Sequence, residues 1–174
     1  TNIGDAHQEN FISRKQKTNE KLLLFSTSRK LIFRVDDEEI STTVEDFCRQ
    51  NGIDQVSWTL HDKDALIKFQ SCFENGRTKI SAFLNDHNFQ FYIPFTDDSA
   101  IENACHSFAC CHVLSGESDI ILSRFERLAP VEMRLEIKKG INSCLLINDY
   151  YNSDIASLTV ALTVLHQQSK KGHL

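Results

Sequence analysis

Residues 145–162, LLINDYYNSDIASLTVAL, decide how the rest of the sequence is interpreted. The apolar residues 145–147 predict a short strand, and apolar residues that return at helical spacing from Ile155 predict a helix. Between the two lies a dense polar run, NDYYNSD, at residues 148–154. A strand that ends in polar residues and leads straight into a helix is typical of α/β folds.

The polar run has two interpretations. In open α/β sheets, ligands bind beyond the carboxyl ends of the strands and close to helix N-termini, and Asp149 and Asn152 would lie at such an edge. Alternatively, Asn152, Ser153 or Asp154 only caps the helix. A cap accounts for one of these side chains but not for the whole run, so both interpretations stay open.

The composition is ordinary for a globular protein. The 174 residues are 41% hydrophobic and 25% charged, with a formal net charge of −5, and the length allows one good core or two small ones. The negative charge argues against nucleic acid as the main partner, and no apolar run approaches the ~20 residues of a membrane-spanning helix. Because the chain does not begin with Met and residues 1–4 resemble the end of a strand, we expect a piece of a longer protein.

Six cysteines are present, and three of them lie in one helical segment, CHSFACCH, at residues 105–112. No pair is spaced as CxxC. A Cys/His metal site in this segment is one interpretation, but such residues on an apolar helix usually belong to the core. We expect free thiols, which fits an acidic protein with a cytoplasmic location.

The order of the predicted elements indicates an α/β fold with an antiparallel insertion. Alternating apolar residues and the Asn75-Gly76 turn predict a three-stranded meander over residues 64–93. Charged residues 36–39 predict the start of a helix, and Gly52 predicts its end. The remaining predicted elements are helices at 13–25, 97–114 and 118–127, strands at 30–35, 55–61, 132–138 and 143–148, and a helix from 154.

The first loop, TNIGDAHQENF at residues 1–11, raises the same question as the polar run, because a strand end again precedes a polar loop and a helix. Taken alone, His7 in this loop is more typical of an exposed side chain than of a ligand, and Lys21 in the helix is typical of a solvated charge. No GxxxxGK[ST] phosphate-binding loop occurs in the 174 residues. If the protein uses a nucleoside triphosphate, its main phosphate cradle lies elsewhere.

Three segments together resemble a known family, the ATP-dependent Mur ligases of peptidoglycan synthesis. Residues 1–11 match the family motif TN(I/V)xxAHLExF, and residues 131–140, VEMRLEIKKG, match its GRxE segment. Residues 145–162 match the motif (I/V)DDxYNANPxS(L/M)xxAL. Within the family, the segments are most similar to the ligases that add D-alanyl-D-alanine to UDP-MurNAc-tripeptide, in the form that is fused to an alanine racemase.

The resemblance implies a fold, an activity and a set of partners. Residues 1–127 would be the C-terminal part of the central ATPase domain, including the antiparallel meander, and residues 128–174 the start of a Rossmann-like C-terminal domain. The UDP-sugar domain and the phosphate loop would lie upstream, so this chain alone would be inactive. The activity implied is ATP-dependent amide-bond formation with Mg²⁺, and the partners are UDP-MurNAc-tripeptide and D-Ala-D-Ala; pyridoxal phosphate would enter only with a racemase domain outside the chain.

Two alternatives stay open beside this interpretation. One is another amino-acid ligase of the same superfamily, such as a folylpolyglutamate-synthase-like enzyme. The other is a non-catalytic binding or interaction module that keeps the ligase scaffold. The oligomeric state is not indicated by any feature of the sequence.

The resemblance also assigns roles to individual residues. His7 aligns with a magnesium-binding histidine, and Lys21 with a lysine that becomes carbamylated and so offers carboxylate-like oxygens to Mg²⁺. Arg134 aligns with an arginine that reaches the γ-phosphate, which a guanidinium can grip at two oxygens. The catalytic residues implied are therefore His7, Lys21 and Arg134, and the cofactor-binding residues are Asn2, Asp36, Asp37, Asp149, Tyr151 and Asn152.

Several positions depart from the family pattern: Met133 precedes Arg134 where the family has a GR pair, and Asn103 is all that remains of the family's GxHN motif. Where relatives read NxDD, residues 34–37 read RVDD, so Arg34 replaces the asparagine that is expected near adenine. Tyr150 is bulky at a position that is usually small. We therefore transfer no adenine contact to Arg34.

Overall fold

The computed structural model describes residues 3, 10–115, 118–129, 135–149 and 155–169 of the chain. The chain divides into two compact units, Thr1–Arg127 and Leu128–Leu174. Each unit is therefore described by itself.

The first unit begins with helices and strands in alternation, continues with a run of four strands and ends with two helices. Its elements are α1 (Arg14–Leu22) with a 3₁₀ turn (Leu23–Phe25), β1 (Lys30–Arg34), α2 (Glu38–Asn51), β2 (Asp54–Thr59), β3 (Ile67–Glu74), β4 (Arg77–Leu84), β5 (His87–Ile93), α3 (Asp98–Ser115) and α4 (Ser118–Phe125). The predicted α/β fold and its meander are confirmed. The strand predicted at 55–61 ends earlier, because the His61 N–H turns back to the Thr59 hydroxyl at 3.0 Å.

The five strands form one mixed sheet in the order β1-β2-β3-β4-β5. Strands β1, β2 and β3 run parallel, with Ile32 opposite Val56 and Trp58 opposite Ile67. Strands β3, β4 and β5 run antiparallel, with Ile80 opposite Phe91. Strand β3 is therefore the point at which a parallel half meets an antiparallel half.

Two glycines end elements where a left-handed backbone is required. Gly52 has φ +66° after α2, and its N–H bonds to the Cys48 carbonyl, as in a helix C-terminal cap. Asn75 and Gly76 have φ 50° and 81° between β3 and β4. Positive φ at both central residues is the requirement of a type I′ hairpin turn, so the predicted Asn-Gly turn is confirmed.

Apolar side chains cover both faces of the parallel half. Leu31 and Phe33 face α2, whereas Ile32 lies on the other face, because successive side chains of a strand alternate. The cluster on the α2 side contains Leu22, Leu31, Phe33, Val35, Val44, Cys48 and Ile53. The larger cluster lies under α3 and α4 and includes Val56, Trp58, Ile67, Phe69, Ile80, Ala82, Phe91, Ile93, Ile101, Cys105, Phe108 and Phe125.

The second unit contains a hairpin and a helix. Its elements are β6 (Glu136–Lys139), a 3₁₀ turn (Ile141–Ser143), β7 (Leu145–Asn148) and α5 (Ile155–Ser169), with β6 and β7 antiparallel. The strand predicted at 143–148 begins two residues late, because the turn continues to Cys144: the Gly140 N–H bonds to the Cys144 carbonyl at 2.8 Å. Of the strand predicted at 132–138, residues 132–134 lie outside the described residues.

None of the helices in the described ranges combines the length and the apolar composition that crossing a membrane requires.

Phe108 is at the centre of the larger core and generates a prediction about stability. Its ring is 1% exposed and lies 5.8 Å from Phe69 and 5.4 Å from Phe91, measured between ring centroids. Phe108→Ala should lower the free energy of unfolding by about 3–5 kcal/mol, the usual cost of deleting a buried phenyl ring. Urea denaturation followed by the fluorescence of Trp58, the single tryptophan, measures this loss.

The matched control is Phe73→Ala, which deletes the same group at a position that is 64% exposed. It should cost less than about 1 kcal/mol, because it leaves no cavity. Equal losses in the two variants would show that the core is not centred on Phe108.

Candidate functional site

The carboxyl ends of β1 and β2 lie at the same edge of the sheet, because the two strands are parallel and paired. Strand β1 ends at Arg34 and leads through Asp36 and Asp37 into α2, and β2 ends at Thr59. Edges of this kind, where strand ends meet a helix N-terminus, are the usual ligand-binding positions of α/β sheets. Residues 34–37 and their partners are called the corner below.

Asp36 ties the two strand ends together. Its Oδ1 accepts a hydrogen bond from the Thr59 hydroxyl, and its Oδ2 accepts one from the Leu60 N–H at 3.1 Å and one from Arg34 Nε. Its side chain is 8% exposed. Burial alone would raise the pKa of Asp36, but the hydrogen bonds from Thr59, Arg34 and Leu60 and the charge of Arg34 outweigh it, so the pKa lies below the ordinary value of 3.8.

Asp37 holds the start of α2. Its Oδ1 caps the helix by accepting the Ile40 N–H at 3.1 Å, and its Oδ2 accepts from Arg14 Nη2 at 2.8 Å. Burial alone would raise the pKa of Asp37, but the hydrogen bonds from Ile40 and Arg14 outweigh burial, so the pKa lies below the ordinary value of 3.8. The side chain is 39% exposed, so Asp37 has more room for an outside partner than Asp36 has.

Arg34 joins the corner to α3. Besides Asp36, it contacts Glu102 through Nη1 at 3.0 Å and lies 3.5 Å from His61 Nε2 through Nη2. The guanidinium carbon lies 5.6 Å from the Trp58 ring, so the group rests on an aromatic face. The residue that departs from the family pattern is therefore engaged with side chains of this protein on each of its nitrogens.

Lys63 closes the loop after β2 over the corner. Its Nζ donates to the Asp36 carbonyl at 3.0 Å and to the Val35 carbonyl at 3.4 Å. Sequence reasoning missed Lys63, Thr59 and Glu102, because no local pattern marks a residue whose role depends on a partner more than twenty positions away.

Arg14 of α1 links Ile3 to the corner. Its Nη2 donates to the Ile3 carbonyl at 3.3 Å and also contacts Asp37. Lys21 is half-buried in the last turn of the same helix. Asn2 and His7, two residues of the predicted site, lie outside the described residues, so their roles stay predictions.

The structure does not support a Cys/His metal site at residues 105–112. Among the described residues, no three His, Cys, Asp or Glu side chains are placed to hold a metal ion, and none of the six cysteines forms a disulfide bond. Burial raises the pKa of Cys105 to about 12, which keeps this thiol protonated. The segment belongs to the hydrophobic core. The magnesium ligands that the family resemblance implies, His7 and Lys21, lie elsewhere in the sequence and stay predictions.

Asp149 directly follows β7 in the second unit. Its Oδ1 accepts the Leu135 N–H at 3.0 Å, so the first acidic residue of the polar run fixes the start of β6 against the end of β7. Arg134, Tyr151 and Asn152 lie outside the described residues. Asp36, Asp37 and Asp149 each have a structural partner within their own unit. Their nucleotide-binding roles stay predictions.

The corner generates a prediction that separates its two acidic residues. Asp36→Asn should lower the free energy of unfolding at neutral pH by about 2–4 kcal/mol, because an amide group turns an N–H toward buried donors and leaves Nε of Arg34 without its charged acceptor. Because the pKa of Asp36 is lowered in the folded state, its stabilisation is present above 3.8 and is lost as the pH falls through the folded value. The difference between wild type and variant should therefore shrink in acid, as measured by urea denaturation.

Asp37→Asn is the control. Asparagine caps a helix about as well as aspartate does, and the ion pair with Arg14 is roughly 40% exposed on both sides, where such pairs contribute about 0–1 kcal/mol. A loss as large as that of Asp36→Asn would contradict the division of roles between the two carboxylates.

Solved structures of three ligases share the fold of the chain. MurF from Acinetobacter baumannii is 19% identical with a TM-score of 0.76, and the match covers 95% of this chain and 36% of that chain. MurF from Thermotoga maritima, solved in complex with ADP, is 16% identical with a TM-score of 0.71 and coverages of 95% and 38%. Folylpolyglutamate synthetase from Lactobacillus casei is 13% identical with a TM-score of 0.65 and coverages of 88% and 39%.

At these identities the likeness shows the fold alone, and the chain spans well under half the length of each of these proteins. No curated protein sequence matches the chain significantly. The family model for the Mur ligase middle domain, however, matches residues 1–111, which is more than half of the 174 residues. This chain therefore belongs to the Mur ligase family.

Proposed function

We propose that the chain is part of an ATP-dependent amide-bond ligase of peptidoglycan precursor synthesis, which adds D-Ala-D-Ala to UDP-MurNAc-tripeptide. The observation that carries the proposal is the match of residues 1–111 to the Mur ligase middle domain. The similarity in fold to two MurF structures, one of them in complex with ADP, supports this member of the family and ATP as the phosphoryl donor.

The domain assignment is part of the proposal. Residues 1–127 form the C-terminal part of the central ATPase domain, and residues 128–174 begin the C-terminal domain. The division of the chain into two compact units supports this assignment. No glycine-rich phosphate loop occurs in the sequence, and Gly52 and Gly76 serve a helix end and a hairpin turn, so the phosphate cradle belongs to a part of the protein outside this chain.

The reaction proceeds in two chemical steps. The terminal carboxylate of the tripeptide attacks the γ-phosphorus of ATP, which gives an acyl phosphate and ADP. The amine of D-Ala-D-Ala then attacks the acyl carbon, the carbon–oxygen bond to phosphate breaks, and the amide, phosphate and a proton are released. Mg²⁺, when bound, neutralises charge on the phosphoryl group, and His7 and carbamylated Lys21 are the residues of this chain that would hold it.

The other residues of the predicted site bind the nucleotide. Arg134 contacts the γ-phosphate, where a guanidinium stabilises the charge that develops during transfer. The corner presents the N-terminus of α2 beside the half-exposed Asp37, which supports a nucleotide-facing role for this edge. The nucleotide-binding set comprises Asn2, Asp36, Asp37, Asp149, Tyr151 and Asn152.

A second candidate is a ligase that adds amino acids to another carboxylate substrate. The folylpolyglutamate synthetase of Lactobacillus casei has a similar fold, which favours this alternative to a lesser degree. The two candidates use the same acyl phosphate chemistry and differ in the acceptor. Product analysis with UDP-MurNAc-tripeptide and with folate substrates distinguishes them.

The role of Lys21 is tested in the complete protein that contains this chain. Lys21→Ala should reduce substrate-dependent phosphate release by at least about 100-fold, because a ligand of the Mg²⁺ ion that would neutralise phosphoryl charge is lost. Lys15→Ala is the matched control, since Lys15 is exposed on the same helix; it should change the rate by less than about twofold.

Wild-type rates in the Lys21→Ala variant would remove Lys21 from the catalytic set.

The isolated 174-residue chain should release no phosphate from ATP above background. Turnover by the isolated chain would contradict the placement of the phosphate cradle outside it.

A further inference from the structure

The hydrogen bond between Trp58 and His106 fixes the protonation state of a histidine. Trp58 on β2 is 1% exposed, and its Nε1–H donates to Nδ1 of His106 on α3 at 3.1 Å. An indole N–H can only donate, so Nδ1 must carry a lone pair and the imidazole must be neutral, with its proton on Nε2. The two ring centroids lie 6.0 Å apart.

The bond lies where α3 meets the strands β1, β2 and β3. Trp58 packs edge-on against Phe69 at 5.7 Å, and Arg34 lies over its ring. Arg34 in turn bonds to Asp36 at the corner and to Glu102 on α3. The Trp58–His106 bond is therefore a second polar link between α3 and the sheet, beside the Arg34–Glu102 ion pair.

The surroundings favour neutral His106. On α3, Glu102 and Cys110 lie one turn away on either side, and Glu102 is already paired with Arg34. On β1, Arg34 lies over the Trp58 ring, and its Nη2 lies 3.5 Å from Nε2 of His61, which follows β2. The core positions of β3, β4 and α4 that face α3 are apolar: Ile67, Phe69, Ile80, Ala82 and Phe125. Burial lowers the pKa of His106 below its ordinary value of 6.5.

We propose that Trp58 and His106 form a proton-operated latch that holds α3 against the sheet. Above the pKa, His106 accepts the indole N–H and the latch is closed. Below it, Nδ1 carries a proton, so two N–H groups face each other and the hydrogen bond from Trp58 is lost. Acid thus loosens the contact between α3 and β2.

The sign of the effect on stability follows from the direction of the shift. A base whose pKa is lowered in the folded state is held neutral by folding, and it takes up a proton more readily in the unfolded chain. The stabilisation is complete above 6.5 and is lost as the pH falls through the folded pKa of His106.

The single tryptophan reports directly on the latch. Emission of Trp58 in the 174-residue chain is recorded between about pH 8 and about pH 5, the interval in which histidines titrate. The wild type should show a single step with a midpoint below 6.5. His106→Gln should lose the step while keeping the neutral-pH emission, because the glutamine Oε1 can accept the same bond and does not titrate.

The matched control is His61→Gln, which removes the histidine that lies 3.5 Å from Arg34 and should leave the step in place. A step that persists in His106→Gln, or that disappears in His61→Gln, overturns the proposal. The NMR titration of the His106 ring in the wild type provides a test that no variant can compromise: a midpoint below 6.5 supports the latch, and a midpoint at or above 6.5 overturns it.

Discussion

The architecture of the first unit depends on one buried carboxylate. Asp36 accepts hydrogen bonds from Arg34 at its own strand end and from Thr59 and Leu60 at the end of the neighbouring strand. A charge with 8% exposure is costly unless it is paired and hydrogen-bonded, and the network around Asp36 meets both conditions. Through Arg34 the same network reaches α3, so the positions of two strands and a helix are fixed by a single group of atoms.

The second unit uses the same chemistry on a smaller scale. Asp149 follows β7 and accepts the N–H of Leu135 just before β6, as Asp36 follows β1 and accepts the N–H of Leu60 just after β2. In both cases a carboxylate at a strand end satisfies a backbone donor of the neighbouring strand, which would otherwise need water. Both acidic residues belong to motifs of the family resemblance, and their structural bonds give each a fixed orientation before any ligand binds.

Local sequence signals predicted most of the elements, and long-range partners account for what was missed. Asn75-Gly76, Gly52 and the alternating strands each act within a few residues, so the meander and the end of α2 could be read directly. The resemblance predicts that Asp36 and Asp37 bind the nucleotide, which stays a prediction. The structural role of Asp36 depends on Thr59, which lies 23 positions away in the sequence. The contact between Trp58 and His106 spans 48 positions and has no counterpart in a local pattern.

The mixed sheet has a consequence for the order in which the protein folds. Strands β3, β4 and β5 are joined by tight turns, so their pairings are local and can form quickly. Pairing of β1 with β2 requires closure of the longer loop that contains α2, so it is slower. The pairing of β2 with β3 consists of Trp58 opposite Ile67 and Thr59 opposite Lys68. We expect the antiparallel half of the sheet to form first and the parallel half to assemble on it. Trp58 then lies at the boundary between the half that forms early and the half that forms late.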